Sequence, residues 1–191
     1  MSTLQRYTFT VRIRFAAPVV SQSAGAIGHG IDTAPLRSRD DIPVLPGTLL
    51  VGNIREIWEY FVAETKGNVI QQGLIEDWLG QAATDSTPRR GRLIFDEFWC
   101  AEEKGSDVLH HRIAIEQETG KVKEGALQVI ASPFAAGKQV AFSGGITAWL
   151  HGKDEAEQLK KWLTKGLHSI SAMGALKSAG FGRIIGVDAI Q

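Results

Sequence analysis

The stretch RYTFTVRIRF, residues 6–15, alternates apolar and polar side chains from end to end. Successive side chains of a β-strand point to opposite faces of its sheet, so this alternation predicts a half-buried strand. Threonines and arginines occupy the polar face, which is therefore basic. The apolar face comprises Tyr7, Phe9, Val11, Ile13 and Phe15.

Helical and extended patterns follow this strand along the chain. Residues 45–64 and 154–173 repeat apolar side chains at helical spacing, and residues 69–79 indicate a short further helix. Strands are predicted at residues 92–100, 108–116, 126–134, 138–150 and 182–190, with a bulge at Gly144-Gly145. Without the loops, the order is β-α-β-(hairpin)-β-α-β. This order predicts an α+β, ferredoxin-like fold with four antiparallel strands, two helices on one face and the other face open.

The charges of the chain balance. The sequence has 191 residues, of which 21 are basic and 21 are acidic, so the formal net charge is zero. Most dedicated nucleic-acid-binding domains are clearly basic, so this balance argues against a broad nucleic-acid footprint. It leaves room for a basic groove confined to one part of the surface. The hydrophobic share of 43% excludes wholesale disorder and suits one domain.

Cys100 is the only cysteine, which excludes an intramolecular disulfide and a cysteine-rich zinc site. We expect it to be a small buried side chain. No apolar run is long enough to cross a bilayer, and the first residues lack the apolar segment of a signal peptide. We therefore expect a cytoplasmic protein.

Two glycine-rich segments have no helical or strand periodicity. Residues 21–41 are too many for an ordinary connection and predict a functional loop. In SAGFGRIIGV, residues 178–187, glycines flank Phe181. They indicate either a turn whose phenylalanine packs in the core, or a place where a phosphate approaches the main chain. The residues alone leave both interpretations open.

Four stretches, taken together, are similar to one family. AMGALKSAGFGRI (172–184) is a glycine-rich loop, IPVLPGTLLVGNIR (42–55) a Pro-Gly helix start, HRIAIEQETGKVKEGALQVIASPFAAGKQVAF (111–142) a long hairpin, and GIDTAPLR (30–37) a loop with one aspartate. In this order they resemble the RAMP superfamily of CRISPR proteins, and in particular the backbone subunits that polymerise along guide RNA in type III interference complexes. Val51 stands where that family usually has a lysine, and Ala175 and Ala179 stand where its glycine loop is often more basic.

The resemblance implies a domain layout and an RNA-binding surface. It implies a single RRM-like domain over residues 1–191, with a glycine-rich loop insertion at 16–46 and a thumb-like β-hairpin insertion at 104–137. Glycines would let the RNA backbone approach main-chain N–H groups, cations would neutralise phosphates, and Phe181 would stack on a base or sugar. The implied RNA-binding residues are Gly47, Thr48, Arg55, Arg37, Arg39, Lys177, Ser178, Gly180, Phe181, Gly182 and Arg183.

Asp32 carries the catalytic prediction. The resemblance implies metal-dependent endoribonuclease activity on complementary target RNA, with Asp32 as the catalytic residue and as a ligand of Mg²⁺ or Mn²⁺. One aspartate is a poor cage for an ion, so RNA phosphates and water would supply the remaining ligands. Aspartate also favours turns unaided, so a purely loop-shaping role for Asp32 is the alternative.

The resemblance also implies partners. They are the CRISPR guide RNA, the target RNA, further subunits of the same or a related RAMP type, and a large signalling subunit, with no membrane. Two other functions stay open at this stage. The first is a non-catalytic structural RNA-binding subunit of the same complex, and the second is an unrelated ferredoxin-like module that binds a small metabolite.

Overall fold

The structure, a computed structural model, describes residues 3–21, 30–81, 89–102, 107–188 and 190–191. These residues form a mixed α+β fold with antiparallel sheets, which confirms the predicted class. Within them, no helix combines the length and the apolar character needed to cross a membrane. The helices are α1 (Gly47–Thr65), α2 (Gln72–Leu79) and α3 (Lys153–Ser169). The strands are β1 (Gln5–Ala16), β2 (Val44–Leu45), β3 (Leu93–Phe95), β4 (Phe98–Cys100), β5 (Val108–Arg112), β6 (Gln128–Ser132), β7 (Gln139–Leu150) and β8 (Arg183–Val187).

β1 and β7 form the centre of the main sheet. They pair antiparallel in one unbroken register, from Gln5 opposite Leu150 to Ala16 opposite Gln139. β8 pairs with the other edge of β1, and β3 and β4 pair with the other edge of β7, so the order is β2-β4-β7-β1-β8 with β3 also beside β7. Burial along β1 follows the predicted alternation from Phe9 to Phe15.

The three helices cover one face of this sheet. Trp58 of α1 and Trp78 of α2 are fully buried, with ring centroids 5.8 Å apart. The indole N–H of Trp58 donates to the carbonyl of Trp162 at 3.1 Å, which ties α1 to α3. On the opposite face, Arg12 and Arg14 of β1 are exposed and share the carboxylate of Asp188 at 3.7 and 3.1 Å.

The glycine pair in β7 does not form the predicted bulge. Gly144 and Gly145 keep the regular register with β1. A Cβ on Gly144 would meet the Phe98 ring at 2.5 Å, and one on Gly145 would meet the Asp96 carboxylate at 2.6 Å. The glycines therefore make room for a side chain of β4 and for one from the link between β3 and β4. The register irregularity occurs instead between β1 and β8.

β5 and β6 form a separate two-stranded sheet. They pair from Val108 opposite Ser132 to Arg112 opposite Gln128. The chain around Thr33 lies along the other edge of β6, where Thr33 pairs in parallel with Ile130 and its carbonyl accepts the N–H of Ala131 at 2.8 Å. The loop that follows β1 is therefore attached to this hairpin.

A charged cluster joins α2, β3 and the start of α3. Arg92 contacts the carboxylates of Asp77 and Glu155, and its Nη1 donates to the carbonyl of Trp149 at 2.8 Å. Burial by itself would raise the pKa of the Glu155 carboxyl. Hydrogen bonds from Arg92, from the His151 N–H and from the Trp78 indole outweigh burial and lower that pKa to about 2. The cluster holds the end of β7 against the residues that precede β3.

Replacing Glu155 by Gln should therefore destabilise the protein in a pH-dependent way. Because the pKa of Glu155 in the folded state lies below its ordinary value of 4.5, its contribution is complete above that pH and is lost as the pH falls towards 2. We expect Glu155→Gln to lower the free energy of unfolding at pH 7 by about 2 kcal/mol. Urea unfolding at pH 7 and pH ~2.5 measures the change.

The matched control is Glu157→Gln, an exposed position on the same helix. It should change the free energy of unfolding by less than about 0.5 kcal/mol at either pH. A difference between Glu155→Gln and wild type that stays constant across this pH range would contradict the assignment.

The two glycines near the start of α1 should respond oppositely to alanine. A Cβ on Gly47 would lie 2.2 Å from the Phe95 carbonyl oxygen, whereas a Cβ on Gly52 would meet nothing within 4 Å. We expect Gly47→Ala to lower the free energy of unfolding by about 1–3 kcal/mol, because main chain cannot move aside as a side chain can. Gly52→Ala should raise it by about 0.5–1 kcal/mol. Equal effects in thermal or urea unfolding would show that α1 does not pack on β3 in this way.

Candidate nucleic-acid interface

The glycine-rich loop at residues 174–182 leaves α3 and leads into β8. It contains a 3₁₀ turn at Lys177–Ala179, and its main chain has positive φ at Gly174, Gly180 and Gly182. A Cβ on Gly182 would lie 1.8 Å from the Met173 carbonyl oxygen. The N–H groups of Gly180 and Gly182 donate to the carbonyls of Lys177 and Pro18 at 3.0 and 2.8 Å. These two glycines therefore serve the path of the loop itself, and their N–H groups are already bonded within the protein.

The structure corrects the prediction that Phe181 stacks on a base. Its side chain is 6% exposed and packs with Val20 and Ile130. Its ring also makes an edge contact with His110 of β5, with centroids 5.3 Å apart. A ring covered in this way has no free face for a base. Phe181 instead joins the glycine loop to the β5–β6 hairpin.

The polar residues of the glycine loop are exposed, but they do not all lie together. Lys177 and Ser178 are exposed on the 3₁₀ turn, and Lys177 lines a small cleft of about 130 Å³ with Asn53 of α1. Arg183 is exposed on β8 opposite Ala16, so it lies on the sheet face away from the helices. Lys177 and Arg183, the two cations predicted to neutralise phosphates at this loop, therefore lie on different sides of the sheet edge.

The start of α1 opens onto two clefts. Thr48 is exposed and is the second residue of α1, while Pro46 occupies the N-cap position. One cleft of about 410 Å³ lies between Thr48 and Gly174 of the glycine loop. The other, of about 480 Å³, extends from Thr48 towards Arg89 and is lined also by Gly47. We call these two clefts, joined at Thr48, the α1 groove.

Arg55 lines the α1 groove, but its guanidinium is bonded to other residues of the protein. Its Nη2 donates to the carbonyls of Leu79 and Gly80 at 3.0 and 2.9 Å, and its Nη1 lies 3.8 Å from the Glu59 carboxylate. A guanidinium at this place satisfies the last carbonyls of α2, which would otherwise lack donors. Arg55 therefore fixes the wall of the groove, and most of its donors are directed into the protein.

Arg37 and Arg39, the two arginines of the loop before β2, differ in whether the protein itself engages their guanidinium groups. The Arg37 side chain is 17% exposed and forms ion pairs with Asp41, at 3.5 Å, and with Asp107. It therefore joins the loop before β2 to the start of β5. Arg39 is exposed, and among the described residues no salt bridge to it is found. Of this pair, Arg39 is the cation that remains available to a phosphate.

Asp32 is exposed and lies beside the β5–β6 hairpin. Its N–H donates to the Val129 carbonyl at 2.9 Å, and its Oδ2 accepts the Val129 N–H at 2.7 Å. One carboxylate oxygen thus attaches the loop to β6, while the exposed side chain leaves the other free to meet a ligand. Residues 22–29, which precede this part of the predicted insertion at 16–46, lie outside the described residues.

The residues around Asp32 do not form a protein-only metal site. Among residues 3–21, 30–81, 89–102, 107–188 and 190–191, no three His, Cys, Asp or Glu side chains are grouped closely enough to hold an ion together. Mg²⁺ prefers near-octahedral oxygen coordination. The predicted ion would therefore need most of its ligands from RNA phosphates and water.

Cys100 is the buried small side chain that the sequence predicts. Burial raises the pKa of its thiol to about 12, and its Sγ lies 3.2 Å from a Glu102 carboxylate oxygen. A thiol with so high a pKa is protonated at neutral pH and is a poor nucleophile.

Sequence reasoning assigned no role to Arg89 and Arg90, which line the second cleft of the α1 groove. Both side chains are exposed. The signal was present in the run PRRGR at residues 88–92, the most basic short stretch before β3. Its significance depends on α2, which brings the run next to Thr48.

Comparison with known proteins identifies the family. The family model described as "RAMPs: RAMP superfamily" matches residues 23–185. No curated protein sequence matches the chain. Among solved structures, the fold is similar to a chain of "Type III-B Cmr-beta Cryo-EM structure of the Apo state", with a TM-score of 0.66 and 10% identity over 97% of this chain and 96% of that one. A likeness at this identity shows a shared fold. Because the family model covers most of the sequence, the chain belongs to the RAMP superfamily.

Proposed function

We propose that this protein is a guide-RNA-binding backbone subunit of a type III CRISPR effector complex. Membership of the RAMP superfamily and the similarity of its fold to a chain from a type III-B Cmr structure support this assignment. The observation that carries it is the α1 groove, which runs from the glycine loop past Thr48 to the basic residues before β3. The guide RNA, a target RNA, sister RAMP subunits and a large signalling subunit would be its partners in the cytoplasm.

The fold supports the finer architecture as well. The central order β8-β1-β7-β4, with α1 and α3 as crossovers, is the strand order of a ferredoxin-like core. The β5–β6 hairpin, whose strands lie within the insertion proposed at residues 104–137, is suited to the role of a thumb. Its exposed apolar side chains include Val122 and Leu127.

The α1 groove suits a polyanion because exposed arginines and an exposed hydroxyl line it. Arg89 and Arg90 line one of its two clefts and Thr48 lines both, while Lys177 lies on the adjoining glycine loop, in a separate small cleft. Contacts of this kind position a nucleic-acid backbone without reading its sequence. Sequence recognition would then belong to base pairing with the guide.

Replacing Lys177 by Ala should weaken guide binding in a salt-dependent manner. When a protein neutralises one phosphate fewer on a single strand, the slope of log K against log salt falls by about 0.7. We expect that reduction for Lys177→Ala and none for Lys161→Ala, which removes an exposed cation from the outer side of α3. The first measurement is the amount of RNA that co-purifies with each variant. The second is the affinity of each variant for guide RNA at several salt concentrations. A wild-type protein that retains no RNA when co-expressed with a guide would instead favour the small-metabolite module.

Asp32 is proposed as the residue that cleaves the target RNA. Its exposed carboxylate beside the hairpin supports this role. The second candidate function, a non-catalytic structural subunit, is supported by the hydrogen bond between Oδ2 of Asp32 and the Val129 N–H, which gives the carboxylate a purely structural use.

Replacing Asp32 by Asn separates the two candidates. An asparagine keeps an oxygen that can accept the Val129 N–H, but it removes the negative charge. A catalytic Asp32 predicts that target-RNA cleavage by the assembled complex falls by about 100-fold or more in Asp32→Asn while assembly is unchanged. Labelled target RNA, with Mg²⁺ or with a chelator, provides the assay.

The matched control is Asp40→Asn, an exposed acidic position in the same loop region, which should cleave at the wild-type rate. Cleavage that survives in both variants would exclude catalysis by Asp32. The structural subunit would then be the remaining assignment.

A further inference from the structure

The turn that carries Arg89 and Arg90 is held firmly in place. A Cβ on Gly91 would lie 2.5 Å from the main chain of Gly80, and one on Gly80 would lie 2.8 Å from the main chain of this turn. The N–H of Gln81 also donates to the Arg89 carbonyl at 2.8 Å. Arg55 bonds the end of α2 in turn, so Arg90 lies next to main chain that is attached to both α1 and α2.

Arg90 stands between two clefts. It lines the α1 groove, and it also lines a third cleft of about 330 Å³ at the end of β7, which we call the Trp149 cleft. Gly91 and Ile94 line both clefts as well. An RNA strand that followed the α1 groove would therefore pass Arg90 before it reached the Trp149 cleft.

The Trp149 cleft combines an aromatic ring with cations. The half-buried Trp149 and the exposed Leu4 and Ile94 form its apolar lining. Arg6 is exposed and directly opposite Trp149 in the β1–β7 register, so it adds a second cation beside the Trp149 position. In the described part of the chain, no acidic residue lines this cleft.

We propose that the Trp149 cleft binds one unpaired nucleotide of the RNA that occupies the α1 groove. The base stacks on Trp149, and Arg90 contacts the phosphate between that nucleotide and the groove. This inference rests on the proposed RNA-binding function and extends the RNA path beyond the residues that the family motifs name.

The chemistry of the cleft favours a nucleotide over a protein segment. Aromatic side chains beside cations are the usual means of binding single-stranded nucleic acid without sequence preference. A volume of about 330 Å³ lies at the low end of the range for small-ligand pockets, which suits one nucleotide. Continuity with the α1 groove through Arg90 supplies the neighbouring phosphates.

The test is a thermodynamic cycle between Trp149 and the length of the RNA. The wild-type assembly and Trp149→Leu are titrated with guide RNAs shortened by one nucleotide at a time from each end. For wild type, removal of the nucleotide that fills the cleft should lower affinity by about tenfold, the usual size of one base–aromatic stack. Trp149→Leu should not respond to that removal, because the two partners are coupled.

Two further variants guard against the case in which Trp149→Leu disturbs folding. Arg90→Gln changes an exposed turn residue and should reduce the salt slope by about 0.7. Trp99→Leu is the matched control, because Trp99 is 41% exposed on the same sheet face but lies on β4, away from the cleft. It should respond to RNA length as wild type does.

Each outcome is decisive. If wild type binds RNA but the effects of Trp149→Leu and of RNA length simply add, the Trp149 cleft holds no nucleotide, while the proposed function stands. Dissociation of a protein subunit from Trp149→Leu with unchanged RNA affinity would assign the cleft to a protein partner and would also overturn the proposal. A wild-type protein that binds no RNA would contradict both.

Discussion

The antiparallel pairing of β1 with β7 is the contact on which the rest of the structure depends. Because one unbroken register joins the two strands, their apolar side chains face α1, α2 and α3 together. A shift by a single residue would turn that set towards the open face of the sheet. The same pairing also places the candidate site. β8 joins β1 and brings the glycine loop beside α1, while β3 joins β7 and supplies the main chain on which Gly47 packs.

Arginine serves two purposes in this protein, and the surroundings of each side chain decide which one applies. Arg37, Arg55 and Arg92 satisfy carboxylates or helix carbonyls within the chain, since a guanidinium with five donors can join several elements at once. Arg39 and Arg90 project into solvent. A chain of zero net charge can therefore still present an exposed cation at one place, because part of its basic charge is paired within the protein while Arg90 is exposed beside the α1 groove.

Several glycines likewise have a role within the fold. Gly47, Gly144 and Gly182 each lie where a Cβ would collide with the protein's own main chain or a core ring. The absence of a side chain therefore allows elements to approach one another closely, and at Gly47 this approach sets α1 against β3 at the α1 groove. Thr48 and Lys177 stay exposed to solvent, whereas the N–H groups of Gly180 and Gly182 are bonded within the protein.

The sequence by itself determined most of the elements, their order and the family. One-sided burial imposes a period of two on a strand and about 3.6 on a helix, and both periods can be read locally. Only the tertiary structure decided which of the side chains predicted to bind RNA are exposed and which are engaged by other parts of the protein. Phe181 packs on His110 and Arg37 pairs with Asp107, and these contacts join residues distant in sequence. The break between β3 and β4 and the regular course of Gly144 likewise depend on neighbouring strands. No local pattern encodes such partners, because they are set by how the elements pack.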